Sequence, residues 1–414
     1  MAGGDKTGLA SLKDAAWLTR KATQAVFDAL SGEGVETRAV GGAVRNAFLK
    51  LPVAEVDLAT TATPQEVIAL ADKAGLKAVP TGIEHGTVTV IADGAPFEVT
   101  TLRRDVETFG RHAEVAFTRD WEADARRRDF TLNALYADRD GCVFDPLHGY
   151  DDLAAGRVRF IGDPVERIGE DYLRILRFFR FNAYYGKGPL DEAGLKACVA
   201  LRGGLAQLSA ERIWIELKRI LMAPRATDAT EALFDYGLLT EILGGVPRLL
   251  DFERLVAIEA ANGVAASAAL RLAVLAIFVD EDVARTAERL RLSNIEQAVL
   301  ALAADVQDGL PQEAFAKAAL YRLGPENYRA TISTAWARSG DTVDNARWIE
   351  ALELPDCWQA PAFPLRGQDI MALGIVGPEV GNILRRLERE WIEGGFADTR
   401  EGLLERAAQL TRAC

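Results

Sequence analysis

Apolar and polar positions follow two different periods along this chain, and the change between them divides it. Up to about residue 150 the periods are mixed. Residues 15–30 carry apolar side chains at helical spacing, TRAVGG reads as a short strand entering a glycine turn, and AVRNAFLKL resumes as a helix broken by Pro52. AEVDLATT alternates with the period of two of a strand. TPQEVIALADKAG then supplies Thr63 as a helix cap, Pro64 at the first helical position, Glu66 three residues after the cap and Gly75 at the end. HGTVTVIADGAPFEVTTL is two β-rich arms about Asp93-Gly94, the dipeptide that a two-residue hairpin turn favours. After Asp151 the strand signals stop, and EDYLRILRFFRFNAYY, SAERIWIELKRILM, ATEALFDYGLLTEIL and AASAALRLAVLAIFV repeat their apolar residues at helical spacing. The predicted fold class is α+β: a head with a small mixed, largely antiparallel sheet, followed by helical domains only.

Composition narrows the function. At 414 residues the chain divides into two to four domains on the usual scale of about 150 residues each. The amino-terminal segment lacks the continuous apolar core of a signal peptide, and no later run reaches the roughly 18 apolar residues of a membrane span, so a cytoplasmic protein without membrane contact is expected. Cys142, Cys198, Cys357 and Cys414 form no CxxC pair and read as reduced thiols, and with only His85, His112 and His148 any metal is expected to be held by oxygen. Nothing in the sequence demands a protein partner.

A net charge of −13 argues against a nucleic-acid partner when taken as a sum. Fourteen arginines nevertheless crowd the segment from Arg103 to Arg180, and a local basic surface can form there.

Five groups of residues carry candidate chemistry. Glu55 and Asp57, two apart on a predicted strand, can aim both carboxylates at one point, an arrangement suited to two Mg²⁺ ions roughly 3.5–4 Å apart. Gly41 and Gly42 end one strand and open a helix, where backbone N–H groups can hold phosphate oxygens with Arg45 one turn in. Glu98, on the second arm of the hairpin, can complete the metal cluster if its strand lies beside Glu55 and Asp57. Downstream, Arg126, Arg127, Arg128 and Asp129 lead into LNALYA, read as a capped helix with a basic entry. In EDYLRILRFFRF, Asp171, Arg174, Arg177 and Arg180 recur every three residues along a stripe of one helix.

The order VGGAVRN, AEVDLATTATPQEV, FEVTTLRRD, RRRDFTLNALYAD, DPLHGYDDLAAGRVRFIGDP, EDYLRILRFFRF and ERIWIELKRIL resembles the class II CCA-adding tRNA nucleotidyltransferases and bacterial poly(A) polymerases over essentially the whole chain. The resemblance implies a catalytic head at 1–152, a helical nucleotide-recognition neck at 153–225, a helical body at 226–335 and a helical tail contacting tRNA at 336–414. It places Glu55 and Asp57 on the family's metal-binding acids, Gly42 and Arg45 on its triphosphate contacts, Arg128 beside the bound nucleotide, and Asp171, Arg174, Arg177 and Arg180 on its recognition helix. The implied activity is addition of C, C and A to the tRNA 3′ end from CTP and ATP, with two Mg²⁺ ions and pyrophosphate release.

That recognition helix has a direct chemical rationale. Cytosine and adenine both present an amine donor beside a ring-nitrogen acceptor, so an accepting aspartate and a donating arginine can read both, while uracil and guanine set a carbonyl against the carboxylate. Within the family, PTGIEHGTVTVI has the form found in the tRNA enzymes rather than in poly(A) polymerases, and RRDVETFGRHAEVAF resembles the loop used in switching to A. In the tail, FPLRGQDIMALGIVGPEVGNILRRLEREWIEGG places Arg366, Arg385, Arg386 and Arg389 about a glycine turn suited to backbone phosphates. Two positions depart from the family pattern: Asn46 and Glu55 stand where relatives mostly carry aspartate. Partial CC or A addition, poly(A) synthesis, an inactive RNA-binding relative, and transfer to a protein or small molecule are the other readings.

Overall fold

Val26, Phe27 and Leu30 bury one side of the first helix, α1 (Lys21–Leu30). It begins later than the apolar spacing from residue 15 suggests. The Thr23 hydroxyl donates to the Trp17 carbonyl at 2.8 Å and Gln24 Nε2 to that of Leu18 at 2.9 Å, side-chain bonds that displace the helical ladder there. The computed structural model describes residues 9–32, 34–104, 116–306 and 310–412, in two compact units, Met1–Leu208 and Ser209–Cys414.

The first unit is built on a sheet. β1 (Thr37–Val40) runs into Gly41, whose φ of +66° is a conformation that side chains with a Cβ avoid, and α2 (Gly42–Phe48) starts directly after it. β2 (Leu58–Thr60) leads to α3 (Pro64–Lys73), where Thr63 and Glu66 close the expected capping box. β3 (Lys77–Gly82), β4 (Thr87–Ala92) and β5 (Ala95–Thr101) follow. The hairpin forms as predicted: Ala92 faces Ala95, and Asp93 and Gly94 both take positive φ. β6 (Arg103–Arg104) pairs with β7 (Ala116–Phe117) as a separate ribbon, and α4 (Trp121–Arg126) is capped by Asp120. β8 (Tyr136–Ala137) and β9 (Val143–Phe144) complete a seven-stranded sheet in the order β3-β4-β5-β2-β1-β8-β9. All its pairs are antiparallel except β2 with β5, which sets Leu58 against Val99. This is the mixed, largely antiparallel head that the periodicity predicts. α5 (Gly149–Ala155), α6 (Pro164–Glu170), α7 (Leu173–Tyr185) and α8 (Glu192–Ala200) finish the unit, with Phe130, Phe160, Phe178 and Phe181 packed against one another.

Three sequence expectations are corrected here. Glu55 and Asp57 precede β2 rather than lying within a strand. Val40 N–H still reaches the Asp57 carbonyl at 2.9 Å, but β1 then turns away at Gly41 and leaves Glu55 no partner on that side. LNALYA is not a helix: a single 3₁₀ turn at Thr131–Asn133 gives way to β8, because Tyr136 and Ala137 find strand partners in Val40 and Ala39. Asp171 stands in the break between α6 and α7 with extended backbone, so the stripe of every third residue starts at Arg174. Residues 105–115 of the loop segment RRDVETFGRHAEVAF, with Arg111 and His112, lie outside the described residues, as does Cys414.

The second unit is helical: α9 (Ala210–Leu221), α10 (Ala226–Asp235), α11 (Leu238–Leu243), α12 (Leu249–Asn262), α13 (Ala268–Ala276), α14 (Asp280–Leu290), α15 (Asn294–Ala304), α16 (Glu313–Ser339), α17 (Ala346–Cys357), α18 (Gly367–Met371), α19 (Pro378–Glu393) and α20 (Arg400–Arg412). One core gathers Leu255, Val274, Tyr328, Trp336 and Trp348, and another gathers Leu365, Ile370, Leu387, Trp391 and Leu403. α16 breaks at Gly324, next to Pro325. No helix among the described residues is long and apolar enough to cross a membrane.

Candidate active site

One polar cavity of about 310 Å³ in the first unit collects most of the predicted residues: Gly41, Gly42, Arg45, Asp57, Glu98, Arg128, Asp129 and Arg177 all line it. Arg127, from the basic entry read in the sequence, lines it as well, and Thr100, Arg103, Asn133 and Phe181 join them without having been named as candidates. Glu55, Asp171, Arg174 and Arg180 do not line it.

The acids come from neighbouring strands. Parallel pairing of Leu58 with Val99 brings the preceding residues, Asp57 and Glu98, side by side, which is the adjacency on which a role for Glu98 depends. Burial first, and then the charges of Glu98 and Glu55, push the Asp57 carboxyl up from its ordinary range, with Arg128 pulling the other way. No group of three or more His, Cys, Asp or Glu side chains among the described residues is drawn together tightly enough to hold a metal ion, so the three acids are not a preformed triad. Their donor set fits Mg²⁺ all the same. It is carboxylate oxygen, its members repel one another, and no lysine or arginine among the described residues is in ion-pair contact with Asp57, Glu98 or Glu55.

The opposite wall is cationic and held by hydrogen bonds. Arg45, 7% exposed, donates through Nη1 to Asn133 Oδ1 at 2.5 Å, through Nη2 to Tyr185 Oη at 2.8 Å, and through Nε and Nη2 to Asn46 Oδ1 at 3.2 and 3.1 Å. Burial lowers its pKa. Gly41 gives its own N–H to the Leu135 carbonyl, so it serves as the hinge of the turn, and the first N–H groups of α2 from Gly42 onward are those left to meet an anion.

Asp129 is spent inside the protein. Its Oδ1 accepts from Phe130 N–H and Asn133 Nδ2, both at 2.9 Å, and its Oδ2 accepts from Arg177 Nε at 2.8 Å and Nη2 at 2.5 Å. Burial opposes its ionisation, but Arg177 and these hydrogen bonds hold its carboxyl below the ordinary range. It lines the cavity with both oxygens already engaged, and so orients Arg177 and Asn133.

Asp124, which the sequence reading passed over, does the same for the arginine run. Buried at 1% exposure, it takes Arg127 Nε at 2.8 Å, Arg128 Nη2 at 3.1 Å and the Tyr136 hydroxyl at 2.9 Å. Burial opposes its charge, yet Arg128 and Arg127 hold it below its ordinary range, while Tyr136 and Asp124 overcome burial to raise Arg128. The signal was present: an acid three and four residues before two arginines.

Of the four recognition residues, Arg174, Arg177 and Arg180 keep the helical stripe on α7 and Asp171 lies off it. Asp171 Oδ1 accepts from Leu173 N–H at 3.1 Å and its carbonyl accepts from Arg174 N–H at 3.0 Å, while the Arg174 side chain bonds to Glu170 and to the Arg167 carbonyl. Arg180 lies over the Phe181 ring at 4.6 Å. In the second unit Arg366 leads into α18, and the exposed Arg385 and Arg386 of α19 contact Asn382 and Glu390.

Comparison with known proteins follows the same lines. Residues 37–159 match the family model described as the poly A polymerase head domain, and residues 189–250 match the model described as a probable RNA and SrmB-binding site of polymerase A. The chain is 36% identical over 380 residues to the mitochondrial CCA tRNA nucleotidyltransferase 1 of Mus musculus, covering 90% of this chain and 86% of the relative. It is 30% identical over 400 residues to the CCA-adding enzyme of Limosilactobacillus fermentum, covering 94% and 96%. Among solved structures, the Bacillus stearothermophilus CCA-adding enzyme in complex with CTP superposes with a TM-score of 0.77 at 26% identity, covering 95% of this chain and 98% of that one.

Proposed function

Because this chain belongs to the family of CCA-adding tRNA nucleotidyltransferases, we propose that it adds C, C and A in turn to the 3′ end of tRNA, using CTP and ATP and releasing pyrophosphate. The observation that carries this reading is the lining of the head cavity: five arginines against three acids, in a chain whose net charge is −13. Such a wall suits a triphosphate beside a small cluster of carboxylates.

The triphosphate lies along Gly42, the first N–H groups of α2 and Arg45, with Arg128 and Arg177 adding charge at its flanks. Asp57, Glu55 and Glu98 are the groups that would hold two Mg²⁺ ions. The chemistry supplied by those ions is activation of the RNA 3′-hydroxyl and neutralisation of charge on the departing pyrophosphate. Phe181 gives the cavity an apolar face. Base choice is assigned to Asp171 and Arg174, whose acceptor and donor match the edge shared by cytosine and adenine. Reading a base requires Arg174 to exchange Glu170 for the base edge. Arg366, Arg385 and Arg386 grip backbone phosphates of the tRNA. The cytoplasmic location is part of this proposal, alongside relatives named for the mitochondrion.

Purified protein incubated with Mg²⁺, labelled CTP or ATP, and tRNA ending at its discriminator base tests the reading. Addition of C, C and A followed by arrest is the expected result. Long A tails on generic RNA would identify a poly(A) polymerase, CC or A alone a partial enzyme, and absence of incorporation at any RNA end would overturn the assignment to RNA.

A further inference from the structure

Asn46 uses both ends of its side-chain amide. Its Oδ1 accepts from Arg45 Nε and Nη2 at 3.2 and 3.1 Å, and its Nδ2 donates to the Pro52 carbonyl at 3.0 Å. Its backbone carbonyl also accepts from Leu51 N–H at 2.9 Å. The loop between α2 and Glu55 is therefore tied twice to this one residue. The other acceptors on Arg45 are Asn133 and Tyr185, so all three side chains that orient the guanidinium are neutral. Together these acceptors fix the direction of the guanidinium, and an acceptor of either charge at position 46 can supply the bonds to Nε and Nη2.

We propose that Asn46 is a positioning residue with two separable roles. Oδ1 aims Arg45 at the nucleotide triphosphate, and Nδ2 holds the loop from which Glu55 reaches the reacting centre. An aspartate at this position can perform only the first, since a carboxylate has no donor for the Pro52 carbonyl and would face it acceptor to acceptor. The proposal rests on the roles given above to Arg45 and Glu55. It gives Asn46, at one of the two positions where the chain departs from its family pattern, a donor bond that the usual residue cannot make.

Two variants separate the roles: Asn46→Asp keeps the acceptor and removes the donor, and Asn46→Ala removes both. CTP affinity is measured by equilibrium dialysis in EDTA, and kcat for C addition is measured with Mg²⁺, on protein whose far-UV circular dichroism matches the parent. Asn46→Ala is expected to raise the CTP Kd about tenfold and to lower kcat as well, while Asn46→Asp keeps Kd within about twofold and lowers kcat about tenfold. A merely structural residue would not split the two constants this way. Parent-like kcat in Asn46→Asp overturns the loop role, and parent-like Kd in Asn46→Ala overturns the Arg45 role. A parent that binds CTP but adds nothing to RNA would overturn the proposed function instead, and the Kd of Asn46→Ala would still decide the Arg45 role.

Discussion

Asp57 is placed by its neighbours: parallel pairing sets Glu98 beside it, and the sequence puts Glu55 two residues before it. Desolvation by the cavity wall and then these like charges raise the Asp57 carboxyl above its ordinary range while the residue stays open to solvent, so a cation is the natural partner of the group. Asp57→Ala is expected to abolish nucleotide incorporation, by more than about 10³-fold, without changing the far-UV spectrum. Asp171 works through a different property, its ability to accept from an exocyclic amine. Asp171→Ala should leave nucleotide addition measurable while admitting UTP or GTP, read by sequencing the extended RNA ends, and unchanged base choice would refute selection by this carboxylate. Asp124 and Asp129 act one step further back. Each holds arginine or asparagine side chains that line the cavity, with a further bond from Tyr136 to Asp124 and from Phe130 N–H to Asp129.

At the scale of elements, α9 and α15 are joined by one carboxylate. Glu296 accepts from Lys218 Nζ at 2.7 Å and Trp214 Nε1 at 3.1 Å, while closing the capping box of α15 with Ser293. Burial opposes its ionisation, but the bonds from Lys218, Ser293 and Trp214 bring its pKa down to about 2 from 4.5. A folded-state pKa below the unfolded value stabilises the fold fully above the unfolded value, and that stability is lost as pH falls through the folded one. Glu296→Gln is therefore expected to cost about 2 kcal/mol at pH 7. Urea titrations of parent and variant should show that difference shrinking from about pH 4.5 downward and nearly gone at about pH 2.

For the whole molecule, charge distribution outweighs total charge. The chain carries −13 overall, yet its head cavity is lined by an excess of arginine over acid, and further arginines lie exposed on α19. Binding of tRNA should weaken as salt rises, because each phosphate contact releases counterions. Removing Arg385 and Arg386 together should lower tRNA affinity and flatten the slope of log affinity against log salt by roughly 1–2, with the Kd for CTP unchanged. An unaltered slope would remove these two residues from the RNA contact.

Much of this protein was determined by its sequence. Strand and helix periods, the Thr63–Glu66 capping box, the Asp93-Gly94 hairpin and the switch to helices after Asp151 are local patterns, and local backbone preference is written residue by residue. The glycine turn and the acids beside it were legible for the same reason. Tertiary structure decided the rest. Nothing local says that Val99 lies beside Leu58, which brings Glu98 next to Asp57, or that LNALYA finds strand partners in β1 and abandons its helix. Nor could spacing show Asn133 between Arg45 and Asp129, or Tyr185 on an arginine 140 residues away. Buried charge must be paired wherever the chain's return path supplies a partner, and that path belongs to the fold rather than to any stretch of sequence.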